Sequence, residues 1–455
     1  MKGKKQESIQ FAPIPLYTGL LVHHPVLFKM IRWIGREYPF QHPISHPFYA
    51  LKQVLLLDPQ DIGLSNDYRS YEVICSGVCG SDRNLITLQM GTAMFDFLPN
   101  IAPNTLNALQ RFILWTQKQY CERIRRWEPG RVVAPYTIGH EIVVKDSRDR
   151  LGVLYPILSC AAKSVEEQCR QCSEGIENLC ENIMSGDVRG IHGFGAITEN
   201  RDQLGGGLSE RVIAHRQQFI PLPDGFTNLQ PNERLERAVM TDTYACAING
   251  VNMVLTRAEF DNEVPILIIG MGALGFCVMD YLSQLGYENV TVVTRRDRQS
   301  GIVGQYSPYK TVQLGKTNYE EPQHQDDNAP FKIVFDCVGN DRSFQLAVGF
   351  VADSGHLVDL GLAVLEGYLD GYDLSLVGPQ DSVSINRFGK KITFYEPFWA
   401  TKAQYQEALR RLIKVHYWQS IVQLRDRREL KRAFFPTGDD KRYLKQALCF
   451  RSLTI

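Results

Sequence analysis

The clearest pattern of hydrophobic and polar positions begins at residue 264. Residues 264–269 form a short apolar run of the kind found in a parallel strand that is buried on both faces. A glycine-rich turn at 270–275 follows, and the apolar stretch 276–285 then predicts a helix that ends at Gly286. Later strands are predicted at 290–293, 333–335 and 357–358. This alternation of strand and helix predicts a doubly wound α/β domain over about 240–395.

The chain before residue 240 has a different pattern, with short strands, many glycines and prolines, and most of the cysteines and histidines. This composition predicts an irregular β-rich domain built around metal sites. Apolar residues recur every three or four positions over 99–127, which predicts a helix that Asn104 can cap. This helix either packs on the domain through its apolar stripe or forms a lid over the active site.

The first fifty-seven residues carry seven lysines and arginines against two glutamates. They also contain four histidines, His23, His24, His42 and His46. A metal site, a basic arm that contacts a neighbouring subunit or an anionic substrate, and a set of solvated side chains are all open interpretations.

Composition narrows the possible functions. The chain has 455 residues, enough for two or three domains, and equal numbers of basic and acidic residues, 50 of each. A neutral chain has no global field to attract nucleic acid or an anionic membrane. We find no apolar run of the length that a membrane span needs, and no secretory signal. The 11 cysteines therefore predict thiols and metal ligands in a reducing cytoplasm rather than a disulfide framework.

The turn at 270–275 predicts a dinucleotide site because it follows a buried strand and opens a helix. Gly270 permits a tight turn, Gly272 lets backbone N–H groups approach a diphosphate, and Gly275 lets the helix pack close to the sheet. Ala273 and Leu274 begin the helix, whose N-terminus favours an anion. The alternative is a purely structural glycine turn.

The residues after the second predicted strand indicate which dinucleotide binds. NAD sites tend to place an acidic residue there to hold the ribose 2′-hydroxyl, whereas this chain has Thr294, Arg295 and Arg296. A hydroxyl can donate to a 2′-phosphate and guanidinium groups can pair with it. The sequence therefore favours NADP(H) over NAD(H), although arginines in a loop can also be merely solvated.

Two groups of residues have the spacing of zinc ligands. Cys169, Cys172 and Cys180, with Cys160 upstream, offer four thiolates, which form a closed structural site. The alternative is a set of unrelated free thiols. Cys79 and His140, from separate segments, offer a thiolate and an imidazole that can hold a second zinc with one position open for substrate.

These segments together resemble the zinc-containing medium-chain dehydrogenase/reductase family. The matching segments, in family order, are 77–82, 139–141, 169–180, 205–210, 270–275 and 336–339. The resemblance implies a β-rich GroES-like catalytic domain over 1–239, with an N-terminal extension and a helical insertion at about 91–130. It also implies an NADP-binding Rossmann domain over 240–395, after which 396–455 returns to the catalytic domain.

The resemblance also assigns roles to individual residues. Cys79, His140 and Glu141 correspond to the catalytic zinc set, and the segment 239–244 implies Asp242 as a direct or alternate third ligand, with Cys246 as the fallback. Ser81 corresponds to the hydroxyl that hydrogen-bonds the substrate alcohol and accepts its proton, while the carbinol hydrogen leaves as hydride to the nicotinamide.

The implied function is a zinc-dependent oxidoreductase that acts on an alcohol, a polyol or the corresponding carbonyl, and that forms a homodimer or homotetramer. Residues 79–83 and 295–298 look most like the glucose or aldose dehydrogenase branch. Two alternatives are a zinc-free NADPH-dependent reductase of conjugated carbonyls and a catalytically silent nucleotide-binding sensor or scaffold.

The chain departs from the family pattern in three places. Sixty residues separate Cys79 from His140, where family members commonly have roughly twenty, and eight separate Cys160 from Cys169, where the first two structural ligands are usually about two apart. The relay histidine that some relatives carry soon after the catalytic serine is absent, and Asn84 stands nearby. These departures leave the contribution of Cys160 open.

Overall fold

The computed structural model describes most of the chain. The described ranges are 4–11, 49–56, 59–60, 62–86, 136–163, 165, 167–183, 185–198, 204–257, 259–295, 297–313, 331–361, 382–387, 390–415 and 421–451. The predicted insertion at 91–130, its helix and the four N-terminal histidines lie outside these ranges.

The structure has two compact units. The first lies within Met1–Leu222, Leu424–Asp440 and Gln446–Ile455, and the second within Pro223–Gln423 and Lys441–Lys445. The sequence predicts domain boundaries at 239/240 and 395/396, whereas the second unit extends beyond both of them, from Pro223 to Gln423. The second unit is larger than 240–395 because helices on either side of that range pack against each other.

The first unit is built on a seven-stranded sheet in the order β10-β6-β5-β3-β19-β18, with β9 also paired to β3. Its strands are β3 (Tyr68–Val78), β5 (Ile142–Lys145), β6 (Leu151–Leu154), β9 (Arg211–His215), β10 (Phe219–Pro221), β18 (Val422–Asp426) and β19 (Lys445–Cys449). The central strand β3 has three antiparallel partners, β9, β5 and β19, along its length.

Two smaller sheets complete the described strands of this unit. Their strands are β1 (Lys4–Phe11), β2 (Tyr49–Leu56), β4 (Tyr136–Thr137), β7 (Val188–Arg189) and β8 (Ile197–Thr198). The first three form a sheet in the order β2-β1-β4, and the last two pair with each other.

The second unit contains a seven-stranded sheet in the order β13-β12-β11-β14-β15-β17-β16. Its strands are β11 (Ile266–Ile269), β12 (Val290–Thr294), β13 (Lys310–Gln313), β14 (Phe331–Asp336), β15 (Val351–Asp359), β16 (Ser382–Arg387) and β17 (Lys390–Tyr395). All neighbours are parallel except β16, which pairs antiparallel with β17 at one edge. The strands predicted from the apolar runs are confirmed.

Nine α-helices lie in the described part of the chain. They are α1 (Gly80–Ile86), α2 (Arg170–Ser173), α3 (Pro231–Ala238), α4 (Thr241–Leu255), α5 (Ala273–Gln284), α6 (Asp297–Tyr306), α7 (Asp341–Phe350), α8 (Lys402–Leu412) and α9 (Leu430–Phe434). Helix α5 is the helix predicted after the glycine turn, and α4 packs against both α5 and α8.

Short 3₁₀ helices connect several of these elements. They span Cys160–Lys163, Glu177–Leu179, Arg216–Gln218, Asp224–Asn228, Arg427–Glu429 and Gly438–Arg442. None of the helices in the described ranges combines the length and the apolarity that a membrane crossing requires.

The core of the second unit explains why its strands read as continuous apolar runs. Leu267, Ile269, Val334 and Leu357 from the central strands form one buried cluster with Phe344 of α7. Because helices cover both faces of a parallel sheet, the side chains that point to either face of each strand are buried. The carboxyl ends of these strands are thereby held at one edge of a rigid sheet.

Candidate functional site

Cys79 stands at the end of the central strand of the first unit, directly after β3 and before α1. Its backbone N–H donates to Oδ2 of Asp82 at 3.0 Å, which fixes the turn between strand and helix. Ser81 lies half-buried in the first turn of α1. The turn thus places a thiol and a hydroxyl two residues apart.

His140 and Glu141 occupy the connection between β4 and β5, and both are buried. The pairing of β3 with β5 puts Ser76 opposite Ile142, so the residues just after Ser76 and just before Ile142 lie at the same end of the sheet. Cys79 and His140 therefore lie at the same end of the sheet, although sixty residues separate them in the sequence.

The side chains of Cys79, His140 and Glu141 converge. The Cys79 sulfur, one ring nitrogen of His140 and one carboxylate oxygen of Glu141 all lie within 4.8 Å of one another. A thiolate, an imidazole and a carboxylate are the three ligand types that zinc uses in proteins. The donor set therefore fits a zinc site with an open position.

Gly77 makes room for this arrangement. A Cβ atom at residue 77 would lie 1.9 Å from Oε2 of Glu141, so any larger residue would push the carboxylate aside. The backbone N–H of Gly77 also donates to the carbonyl oxygen of Glu141 at 2.9 Å. The carboxylate of Glu141 therefore leaves no room for a side chain at position 77, which explains why a glycine stands there.

Asp82, to which the sequence gives no role of its own, lies beside this group. Its carboxylate is fully buried, and Oδ1 lies 3.6 Å from Nδ1 of His140. Burial by itself lowers the pKa of His140, but the Asp82 carboxylate and the Cys79 thiolate raise that pKa well above its usual value. A carboxylate behind a ligand histidine orients the ring and strengthens its basicity.

The four cysteines Cys160, Cys169, Cys172 and Cys180 also come together, with all four sulfurs within 4.8 Å of one another. The Cys160 and Cys180 sulfurs are 3.6 Å apart, and the Cys169 and Cys180 sulfurs are 3.9 Å apart. Four thiolates bound to zinc at about 2.3 Å in a tetrahedron have sulfurs about 3.8 Å apart. The cluster therefore fits a closed zinc site, and Cys160 belongs to it despite its spacing.

Backbone and side-chain N–H groups point at two of these sulfurs. Cys160 accepts from the backbone N–H of Cys169 at 3.5 Å and from Nδ2 of Asn182 at 3.3 Å, and Cys180 accepts from the backbone N–H of Asn182 at 3.4 Å. Although burial raises the pKa of Cys160, these donors lower it to about 7, while burial raises that of Cys180 to about 11. Burial lowers the pKa of Lys163, beside them, to about 8.

In the second unit, the glycine turn has the geometry that the sequence predicts. Gly270 has a φ of +93°, a conformation that favours glycine, and its N–H donates to Val293 at 2.9 Å. A Cβ atom at Gly275 would lie 1.9 Å from the carbonyl oxygen of Gly270. Gly272 caps α5, which begins with Ala273 and Leu274, so the helix N-terminus opens on the turn.

The region expected to distinguish NADP from NAD lies at the end of β12. Thr294 is buried, and its hydroxyl shares a 2.9 Å hydrogen bond with that of Ser300 in α6. Arg295 is exposed, whereas Arg296 lies outside the described residues. Gln299, to which the sequence alone assigns no role, donates from Nε2 to the carbonyl oxygen of Met271 at 2.7 Å and links α6 to the glycine turn.

Asp336 organises the next strand end along the same edge. Its buried carboxylate accepts from the backbone N–H of Val338 at 2.9 Å and from the hydroxyl of Ser343 at 2.7 Å. Burial raises its pKa. The segment 336–339 is part of the family resemblance, but only the structure shows that its aspartate fixes the loop beside Gly270.

Asp242 and Cys246, the predicted third ligand and its fallback, lie on α4 in the second unit. Asp242 is buried, and its carboxylate accepts a hydrogen bond from the Tyr405 hydroxyl of α8. Among the described residues, the group of potential ligands around Cys79 consists of Cys79, His140 and Glu141 and does not include either of them. A role for Asp242 or Cys246 at zinc stays a prediction.

Sequence comparison finds no family model that matches the chain, and no curated protein matches it either. Comparison of structures does find relatives. Acetophenone reductase from Geotrichum candidum, in complex with NAD, has a TM-score of 0.60 at 16% identity, covering 99% of this chain and 98% of its own. A candidate zinc-binding dehydrogenase from Sinorhizobium meliloti bound to NADP has a TM-score of 0.57 at 16% identity, covering 98% and 99%.

L-idonate 5-dehydrogenase from Escherichia coli has a TM-score of 0.54 at 14% identity, covering 88% of this chain and 94% of its own. At such low identities the likeness concerns the fold. The predicted fold class is confirmed: the chain has the α/β fold of these three structures, as the resemblance noted in the sequence implies.

Proposed function

We propose that the chain is a zinc-dependent oxidoreductase of the medium-chain family that transfers a hydride between NADP(H) and an alcohol, a polyol or an aldose, or the corresponding carbonyl. The observation that carries this proposal is the convergence of Cys79, His140 and Glu141, with one ligand atom from each within 4.8 Å of the others. A silent scaffold would need no such group. The named structural relatives that are dehydrogenases or reductases support the same class of reaction.

At this site a zinc ion would supply a Lewis acid for an alcohol or carbonyl oxygen. The Asp82 carboxylate, 3.6 Å from Nδ1 of His140, would favour the tautomer with the proton on Nδ1 and so orient the imidazole to bind zinc through its other nitrogen. Ser81, two residues after Cys79 and half-buried, would accept the hydroxyl proton of an alcohol while it passes its own proton towards solvent. In the direction of reduction the same hydroxyl donates.

The second unit is proposed to bind the dinucleotide. NADP(H) would accept or supply the hydride. The N-terminus of α5 and the turn around Gly270 offer N–H groups to a diphosphate, because Gly275 lets the helix reach the turn closely. Arg295 is exposed directly after β12, where NAD sites tend to place an acidic residue, and this favours a 2′-phosphate.

The four-cysteine cluster is proposed to hold a second, structural zinc. Its sulfur separations match a tetrahedral shell, and four thiolates leave no position for substrate. The site would therefore stabilise the local fold around the four cysteines rather than take part in the reaction.

The first test is the number of zinc ions per purified chain, measured in the wild type and in Cys79→Ser. Cys75→Ser, in β3 four residues before Cys79 and outside both clusters, serves as the control. We expect two zinc ions in the wild type and the control and one in Cys79→Ser, with loss of NADP-dependent oxidation of aldoses and polyols. One zinc in all three proteins would contradict the catalytic site and would favour a zinc-free reductase or a silent nucleotide-binding protein.

A further inference from the structure

The loop that separates Cys160 from Cys169 is longer than that between typical neighbouring zinc ligands, and it carries a lysine. Lys163 ends the 3₁₀ helix that begins at Cys160. Its ammonium group donates to three backbone carbonyl oxygens of the segment that follows Cys180: Asn182, Ile183 at 3.2 Å and Ser185 at 2.7 Å. The loop thus links Cys160 to the segment that follows Cys180 in the sequence.

That segment contacts the cluster directly through Asn182. Its backbone N–H donates to the Cys180 sulfur at 3.4 Å, and its side-chain Nδ2 donates to the Cys160 sulfur at 3.3 Å. The Ser185 hydroxyl donates in turn to Oδ1 of Asn182 at 3.2 Å, which orients the amide. Three carbonyl contacts from Lys163 therefore hold the residue that supplies N–H groups to two sulfurs.

The positive charge of Lys163 also stabilises the cluster. Four thiolates around a divalent cation carry a net charge of minus two, which is costly to keep away from water. Lys163 is half-buried, and the thiolates of Cys160 and Cys180 act electrostatically on its ammonium group. Arg170, in the helix that carries Cys172, is instead on the surface, paired with Glu174 at 2.8 Å.

We propose that Lys163 is an outer-sphere residue of the four-cysteine site, supplied by the long loop, that slows loss of the metal. It acts by holding Asn182 against the sulfurs of Cys160 and Cys180 and by offsetting the negative charge of the cluster. This inference rests on the proposed binding of zinc by the four cysteines.

The experiment measures release of zinc to a colorimetric chelator from the full chain in a Cys79→Ser background, so that only the cluster contributes. Outer-sphere partners are typically worth about 10–100-fold in metal affinity, so Lys163→Met should release zinc about ten- to a hundredfold faster. Lys163→Arg, which keeps the charge and the donors, should recover most of the loss. Lys145→Met removes a lysine of the same unit that pairs with Asp149 and should have no effect.

A double-mutant cycle tests the route through Asn182. If Lys163 acts by holding that residue, Lys163→Met and Asn182→Ala should be less than additive in the logarithm of the release rate. Zinc bound to the cluster but released from Lys163→Met at the rate of the parent would overturn this inference alone. A parent that retains no zinc at the cluster would overturn both this inference and the proposed structural site.

Discussion

Gly275 offers the sharpest test of the dinucleotide site, through the substitution Gly275→Ala. The added Cβ would lie 1.9 Å from the carbonyl oxygen of Gly270, whereas real Cβ contacts are not found below 3.0 Å. The obstacle is backbone, so no side-chain rotation relieves it. The first turn of α5 and the glycine turn must therefore separate by about 1 Å.

The separation has a predictable effect on affinity. N–H groups that lie about 2.9 Å from a diphosphate oxygen would move beyond hydrogen-bonding distance. A hydrogen bond to a charged group contributes about 1.5–3 kcal/mol, so losing two of them costs about 3–6 kcal/mol. We therefore expect the Kd for NADPH to rise by at least about a hundredfold, because each 1.4 kcal/mol is a factor of about ten.

The assay is a fluorescence titration of the purified variant with NADPH, with thermal unfolding as the check on folding. Gly304→Ala is the matched control, because Gly304 is an exposed residue of α6 where a Cβ meets nothing within 4 Å. It should bind NADPH as the wild type does and be slightly more stable, since alanine favours helix. Near-wild-type affinity in a folded Gly275→Ala protein would refute the proposed role of the turn.

Two further predictions concern single carboxylates. Asp82→Asn should weaken zinc binding at the catalytic site by about 10–100-fold, because the charge that orients His140 is lost; zinc titration of metal-depleted protein measures this, and an unchanged affinity would contradict it. Burial raises the pKa of Glu396 from 4.5 to about 7, so its ionisation destabilises the fold as the pH rises through that interval and has no effect below it. Glu396→Gln should therefore raise the free energy of unfolding by up to about 3 kcal/mol over the wild type at pH 8 and by little at pH 4, as measured by urea unfolding. An equal gain at both pH values would count against burial as the cause.

The strand–turn–helix at 266–284 could be predicted from the sequence because its physical signals are local. A buried parallel strand must be apolar throughout, and the turn must carry glycines where the backbone comes close. The same reasoning applies to β12 and β14, whose predicted positions agree with the structure.

The candidate metal sites were predictable in type but not in completeness. The eight residues between Cys160 and Cys169 left the fourth thiolate uncertain, because a 3₁₀ turn that folds the loop back has no distinctive pattern in sequence. Asp82, Ser300 and Lys163 act through contacts with residues that the tertiary fold brings near them, so residue type alone could not assign their roles.

The pairing of β19 with β3 has a consequence for how the protein is made. Gln446 pairs with Val78, the residue before Cys79, although the two are more than 360 positions apart in the chain. Closing so long a loop is entropically unfavourable and slows the formation of the contact. While the ribosome is still synthesising the second unit, the strand that precedes Cys79 therefore lacks one of its three partners. Until residues 446–449 emerge, the nascent chain exposes an unpaired strand edge at this point, and an unpaired edge is a site of aggregation.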